Sequence, residues 1–122
     1  MKIACANARS VVLKINSLIT LFDELGLHLT LLTETWLTQK VCSVRNMNDL
    51  TEGSNLNFIR RDRGSRGGGV AVGYDRTQIK LSNFPVVQSG DKKCELVAAV
   101  GNCVLTKRKI AALSVYLSLI HI

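Results

Sequence analysis

Three features of the sequence predict an α/β fold. The opening stretch reads strand, helix, strand within about thirty residues, the span of a right-handed βαβ unit. Five further apolar runs come after it and read as strands. With 47% hydrophobic and 20% charged residues in a chain of 122, the composition is that of a folded unit, one small domain or part of a larger one.

Taken in order, Met1 to Asn7 is short, apolar and followed by polar residues, so it reads as the first strand. Val11, Ile15, Leu18, Phe22 and Leu25 then recur at spacings of four, three, four and three, one apolar stripe along a helix. Asn16, Ser17, Thr20, Asp23 and Glu24 fill the other side. Ser10 is placed to cap the helix start, and Gly26 to end it. Leu27 to Thr33 is a continuous apolar-rich strand, and Thr38 to Asn57 is polar and irregular, with room for one short helical turn. Leu56 to Arg60 and Gly67 to Tyr74 read as strands joined by a hairpin-like basic link, Arg61 to Arg66. Gln78 to Phe84, Cys94 to Val100 and Lys109 to Leu117 complete the set. The run Gly67-Gly68-Gly69 precedes a strand rather than a helix, so it lacks the setting of a phosphate-cradling loop. Glycines there permit a bend or bulge where backbones approach closely.

Several classes are set aside by composition. The chain has no run of 18 apolar residues, so no membrane span is expected. The apolar block at the N-terminus is too short for a signal-peptide core and is closed off by Arg9, which points to an intracellular chain, nuclear or cytoplasmic. Cys5, Cys42, Cys94 and Cys103 form no Cys-x-x-Cys pair, and His28 and His121 lack ligand-like spacing. The cysteines therefore read as small buried hydrophobes. The formal charge is +7, with Arg60, Arg61, Arg63 and Arg66 in one cluster, Lys107, Arg108 and Lys109 in another, and Lys92 and Lys93 nearby. Such clusters suit a polyanion such as nucleic acid, or equally a solvated loop and a charged strand end.

The opening unit also brings two polar residues together. Asn7 ends the first strand and Glu34 ends the second, so parallel neighbours would carry both at the carboxyl edge of one sheet, where ligands of α/β sheets bind. From position alone a turn asparagine and an exposed glutamate are the favoured account.

The wording of the motifs adds to this. Asn7-Ala8-Arg9-Ser10, a helix, then Leu32-Thr33-Glu34-Thr35-Trp36-Leu37 resembles the endonuclease/exonuclease/phosphatase superfamily. It is most similar to the apurinic-type endonuclease domain of non-LTR (LINE-like) retrotransposon proteins. Arg60-Arg61-Asp62-Arg63, Gly67-Gly68-Gly69-Val70-Ala71-Val72, the strand opened by Glu95 and the strand ending Val115-Tyr116 continue the resemblance in order. It covers roughly residues 2 to 116.

The resemblance implies the N-terminal half of a four-layer α/β sandwich, with mixed β-sheets facing each other and helices outside. It implies metal-dependent phosphodiester cleavage, with Mg²⁺ as cofactor and Mn²⁺ as a substitute, DNA as the parent's partner, and a reverse transcriptase domain in the same parent chain. Asn7 matches the family asparagine of the phosphate and metal site, Glu34 its metal-binding glutamate, and Tyr116 the tyrosine near the scissile phosphate. Glu95 matches a glutamate found behind that site in some nuclease members. Arg9 matches the motif with no assigned chemistry, and Trp36 reads as core.

Those residue types suit the chemistry. Mg²⁺ takes hard oxygen donors and needs only one or two carboxylates. A neutral asparagine hydrogen-bonds a phosphate oxygen without adding repulsive charge, and a phenol stabilises charge developing there. The family's Asp-x-Asn pair and its Ser-Asp-His are absent from this chain. After Tyr116 the chain reads Leu117-Ser118-Leu119-Ile120-His121-Ile122, where family members often read Arg-Pro-Pro. Residues 1–116 are thus expected to be a partial domain and 117–122 a divergent tail at a truncation, with the fragment inactive and the inner faces of Leu96–Val100 and Ile110–Val115 uncovered. Two other functions stay open: another superfamily hydrolase, a phosphatase or sphingomyelinase-like enzyme, and a non-catalytic basic module that binds nucleic acid.

Overall fold

The structure, a computed structural model, describes residues 1–38, 47, 49–63, 67–86 and 94–117. Its elements are β1 (Ile3–Asn7), a 3-10 turn (Val12–Lys14), α1 (Ile15–Leu25), β2 (Leu29–Thr33), β3 (Leu56–Arg61), β4 (Val70–Asp75), β5 (Ile79–Phe84), β6 (Cys94–Cys103) and β7 (Lys109–Leu117). They form a four-stranded sheet in the order β1-β2-β4-β3 and a three-stranded sheet in the order β5-β6-β7. β1 and β2 are parallel neighbours with α1 between them in sequence, as the opening strand–helix–strand pattern requires. Every other strand pairing is antiparallel. The fold is mixed α/β and mostly sheet.

Strands β1, β2 and β4 begin two or three residues later than their apolar runs suggest. Lys2 lies outside β1, its carbonyl accepting from the N–H groups of His28 and Leu29. Leu27 is spent closing the helix, its N–H bonded to the Phe22 carbonyl. Gly67, Gly68 and Gly69 all have positive φ (80°, 64° and 90°), which breaks the extended geometry ahead of Val70.

The helix stripe is partly as its periodicity predicts. Val11, Ile15 and Phe22 are buried and Leu18 packs against the same core. Leu25 is 51% exposed: Gly26, left-handed at φ 63°, turns the chain there, and Leu27 takes the core position instead. Ser10 does not cap α1. The helix starts behind the 3-10 turn, with Lys14 at its N-cap and no side-chain capping bond.

Two cores make three layers. Ala8, Val11, Ile15, Phe22, Leu27, Leu32, Leu37, Met47, Leu56 and Ala71 fill the space between the helix and one face of the four-stranded sheet. Leu29, Val70, Val72, Tyr74, Ile79, Val97 and Ala112 fill the space between the sheets. β4 is central, with Val70, Ala71 and Val72 fully buried. The alternation of β7 buries Ala112 and Ser114 inward and leaves Leu113, Val115 and Leu117 exposed. The inner faces of β6 and β7 are therefore covered, contrary to expectation, because the four-stranded sheet packs on them. It is the outer face, with Phe84, Val100, Leu113, Val115 and Leu117, that carries exposed apolar side chains.

The three described cysteines are not the buried hydrophobes expected. Cys5 is exposed on edge strand β1, and Cys94 and Cys103 are half-buried at the two ends of β6. Cys42, the Lys92-Lys93 pair, Arg66 and positions 39–46 and 48 of the Thr38–Asn57 stretch lie outside the described residues. Among the described residues no helix is long and apolar enough to cross a membrane.

Candidate active site

The carboxyl ends of β1 and β2 are fastened together by backbone hydrogen bonds. Asn7 faces Thr33 in register, and Ala8 N–H donates to the Thr33 carbonyl at 2.8 Å. Ser10 N–H donates to the Glu34 carbonyl and Val11 N–H to that of Thr35. The glycine turn then joins from β4: Thr35 N–H donates to the Gly69 carbonyl at 3.3 Å, and Trp36 N–H to that of Gly68 at 2.8 Å. Within this knot four non-glycine residues have positive φ, namely Arg9 (44°), Ser10 (83°), Glu34 (52°) and Trp36 (56°). Left-handed backbone at such residues costs on the order of 1–3 kcal/mol each and persists where the surroundings over-determine it, which happens most at functional sites.

Glu34 leaves this knot toward the second sheet. The Tyr116 hydroxyl, near the end of β7, donates to Glu34 Oε1 at 3.2 Å. Glu95 sits opposite Tyr116 in the β6–β7 register and is buried. Both its oxygens are engaged: Oε1 accepts from Arg63 Nε at 2.5 Å and Oε2 from Gly69 N–H at 3.0 Å. A third link between the sheets is the buried Ser114 hydroxyl, which donates to the Leu32 carbonyl at 2.8 Å. Burial pushes the Tyr116 phenol above its ordinary value of 10.0, and the charge and hydrogen bond of Glu34 and the charge of Glu95 push the same way, with Arg63 opposing. The hydroxyl thus stays a proton donor at neutral pH.

Of the four residues that the sequence singles out, Glu34 and Tyr116 touch. Glu95 lies beside Tyr116 but turns its carboxylate to Arg63 and Gly69. Asn7 is exposed at the same edge and lines a shallow groove of about 390 Å³ between β1, β2 and β7, with Cys5, Thr33, Leu113 and Ser114 among its walls. Trp36 is not core: it is 43% exposed, and Leu37, 1% exposed, takes the buried place.

Sequence reasoning misses Arg63 and Thr35. In the sequence Arg63 belongs to a basic cluster, yet the cluster is not one solvated patch. Arg60 pairs with Asp62 at 3.4 Å, both side chains largely buried, and Arg63 pairs with Glu95. Burial raises the Asp62 carboxyl, with the Arg60 charge opposing. Arg61 is exposed. Lys107, Arg108 and Lys109 are exposed at the β6–β7 turn, at the opposite end of β7 from Tyr116. Thr35 is fully buried, and its hydroxyl has no hydrogen-bond partner among the described residues. A hydroxyl of that kind gives no signal in a single sequence.

The donor chemistry suits a hard cation. Glu34 offers a carboxylate and Asn7 an amide oxygen at one edge, while both Glu95 oxygens already accept a hydrogen bond. Among the described residues no group of three or more His, Cys, Asp or Glu converges. One carboxylate is within what Mg²⁺ accepts, since it keeps several waters. Comparison with known proteins finds no matching family model and no matching curated protein.

Proposed function

We propose that these residues are part of a metal-dependent phosphodiesterase of the endonuclease/exonuclease/phosphatase kind, whose parent nicks DNA in the manner of a retrotransposon endonuclease. The reading is supported above all by one observation: Tyr116 and Glu34, brought from different sheets, meet at 3.2 Å beside strained turns at the edge that Asn7 shares. In this reading the helix and two sheets are the N-terminal half of a four-layer sandwich, whose fourth layer would cover the exposed outer face of β5-β6-β7.

Glu34 and Asn7 would hold Mg²⁺ or Mn²⁺, which when bound polarises a phosphoryl oxygen and stabilises a leaving oxyanion. Asn7 can donate its amide N–H to a phosphate oxygen without repelling it. Tyr116, kept protonated, can donate to charge developing on the phosphate. Neither the Asp-x-Asn nor the Ser-Asp-His of the family is in this sequence, so the residues that activate water are absent. General-base activation contributes about 10²–10⁴-fold, and the chain as it stands is expected to be inactive.

The test is nicking of supercoiled plasmid with Mg²⁺ by the 122-residue chain, by a chain extended through those motifs, and by the extended Glu34→Gln variant. Nicking by the extended wild type alone supports the reading. An inactive extended chain refutes it. Nicking by the short chain that vanishes in its own Glu34→Gln variant would show that the chemistry needs fewer residues. A second reading, a basic nucleic-acid-binding module, is favoured by the occupied carboxylate of Glu95 and the lone carboxylate left beside it. Salt-dependent DNA binding without cleavage in any version would select it.

A further inference from the structure

We propose that Arg63 is a positioning residue: through Glu95 and the Gly67–Gly69 turn it holds the strained Glu34–Trp36 turn in the conformation that presents Glu34 to Tyr116. The inference deepens the metal-site reading and rests on it only where metal affinity is measured.

The chain of contacts is continuous. Arg63 lies just beyond β3, and its Nε donates to Glu95 Oε1 at 2.5 Å. Its guanidinium lies flat against the glycine turn, since a Cβ on Gly68 would fall on that group and one on Gly67 would sit 3.6 Å from Nη1. The other Glu95 oxygen takes the Gly69 N–H at 3.0 Å. Guanidinium and carboxylate therefore grip the turn from two sides, and the three positive φ angles fit it to that grip. From the turn, the Gly69 and Gly68 carbonyls receive the N–H groups of Thr35 and Trp36. These two residues come directly after Glu34, so their backbone fixes where the Glu34 side chain leaves the chain. A Cβ on Gly69 would fall on the Thr35 hydroxyl, so the contact is tight.

The grip also sorts the charges. With both oxygens hydrogen-bonded and Arg63 neutralising it, Glu95 is the weaker cation ligand, and Glu34 is the carboxylate left free of a cationic partner among the described residues. The hydrogen bond of Arg63 goes to Glu95 rather than to Glu34 or Tyr116; apart from its charge, which is felt at the Tyr116 phenol, its effect is carried by Glu95 and backbone. Residues that orient a metal ligand in this indirect way change metal affinity by about 10–100-fold when mutated.

The test compares wild type with Arg63→Met, Arg63→Lys, Glu95→Gln and Glu34→Gln. Amide hydrogen exchange at Gly69 and Trp36 is read against the centre of β4, and Mn²⁺ binding is read by electron paramagnetic resonance. Arg63→Met and Glu95→Gln are expected to speed exchange at Gly69 and Trp36 about tenfold beyond any change in β4, and to weaken Mn²⁺ by about tenfold or more. Arg63→Lys should recover part of both, because an ammonium restores the charge but not the planar surface against Gly68. Glu34→Gln should remove Mn²⁺ binding and leave the exchange pattern as in wild type. Exchange at Gly69 and Trp36 that tracks β4 in Arg63→Met would overturn the proposal. A wild-type chain that binds no Mn²⁺ would overturn the metal reading alone, and the exchange arm would still decide the positioning role.

Discussion

Replacing Tyr116 by Phe removes one oxygen and leaves the ring in the inter-sheet core. That oxygen donates to Glu34 Oε1 at 3.2 Å, longer than the roughly 2.5–2.7 Å of strong O–H···O⁻ bonds. Hydrogen bonds to charged groups contribute about 1.5–3 kcal/mol, and the length and partial exposure here reduce the expectation to about 1 kcal/mol. For a chain of this size that is a fall in Tm of roughly 4 °C at neutral pH. Denaturation of wild type, Tyr116→Phe, Glu34→Gln and the double variant should give a coupling of the same size, since the two side chains share one contact. The pH dependence has a definite sign. The folded phenol titrates above its ordinary value of 10.0, with desolvation as the first cause and Glu34 next. Above pH 10 the unfolded chain therefore loses this proton first and binds fewer protons than the folded one, so stability falls as pH rises. The contribution is fully present below pH 10 and lost as pH climbs through the raised value. With only two tyrosines in the sequence, the difference in tyrosinate absorbance between wild type and Tyr116→Phe isolates this group. A midpoint at or below 10, or no coupling between positions 34 and 116, would refute the contact as described.

Two more outcomes are expected. Asp75 holds the turn between β4 and β5, its Oδ1 accepting from Thr77 N–H at 2.9 Å and from the Thr77 hydroxyl at 2.6 Å. Burial alone would raise its carboxyl, but the Thr77 and Gln78 hydrogen bonds and the charge of His28 bring it below 3.8. Its stabilisation is thus present above pH 3.8 and lost as pH falls through the lowered value, and Asp75→Ala should cost about 1 kcal/mol at pH 7 and progressively less in acid melts. Leu113, 50% exposed on the outer face of β7, should accept Lys with a stability change within about 0.5 kcal/mol and with less aggregation by light scattering, because a charge blunts an exposed apolar face. A large loss of stability in Leu113→Lys would mean that the face is covered.

What the sequence disclosed depends on how local each signal is. The Lys109–Leu117 strand and the buried Val11, Ile15 and Phe22 come from periodicity alone, and the structure has them as read. Periodicity failed at Leu25, where a left-handed glycine ends the pattern one turn early and passes the core position to Leu27. The reading of Trp36 as core failed too: Glu34 and Trp36 both have positive φ, and Leu37 enters the core instead. Asn7 and Glu34 could be placed at one edge because strand ends are legible. The partners of Glu95 could not be read, since Arg63 lies 32 residues away and reaches it only once two sheets have packed. Four strained residues, Arg9, Ser10, Glu34 and Trp36, leave no trace in residue type, as glycine would.

The links between the sheets are also links across time. Glu34 to Tyr116, and Leu32 to Ser114, each span 82 positions of chain. On a ribosome adding about 5–20 residues per second, the second partner emerges after the first by roughly 4–16 s. Throughout that interval β1, the helix and β2 can pair locally, while Glu34 waits without its phenol and the Leu32 carbonyl without the Ser114 hydroxyl. The contact between Glu34 and Tyr116 therefore cannot form until nearly all of the described chain has emerged, and the nascent half-sheet passes through a sticky stage that a holding chaperone would recognise.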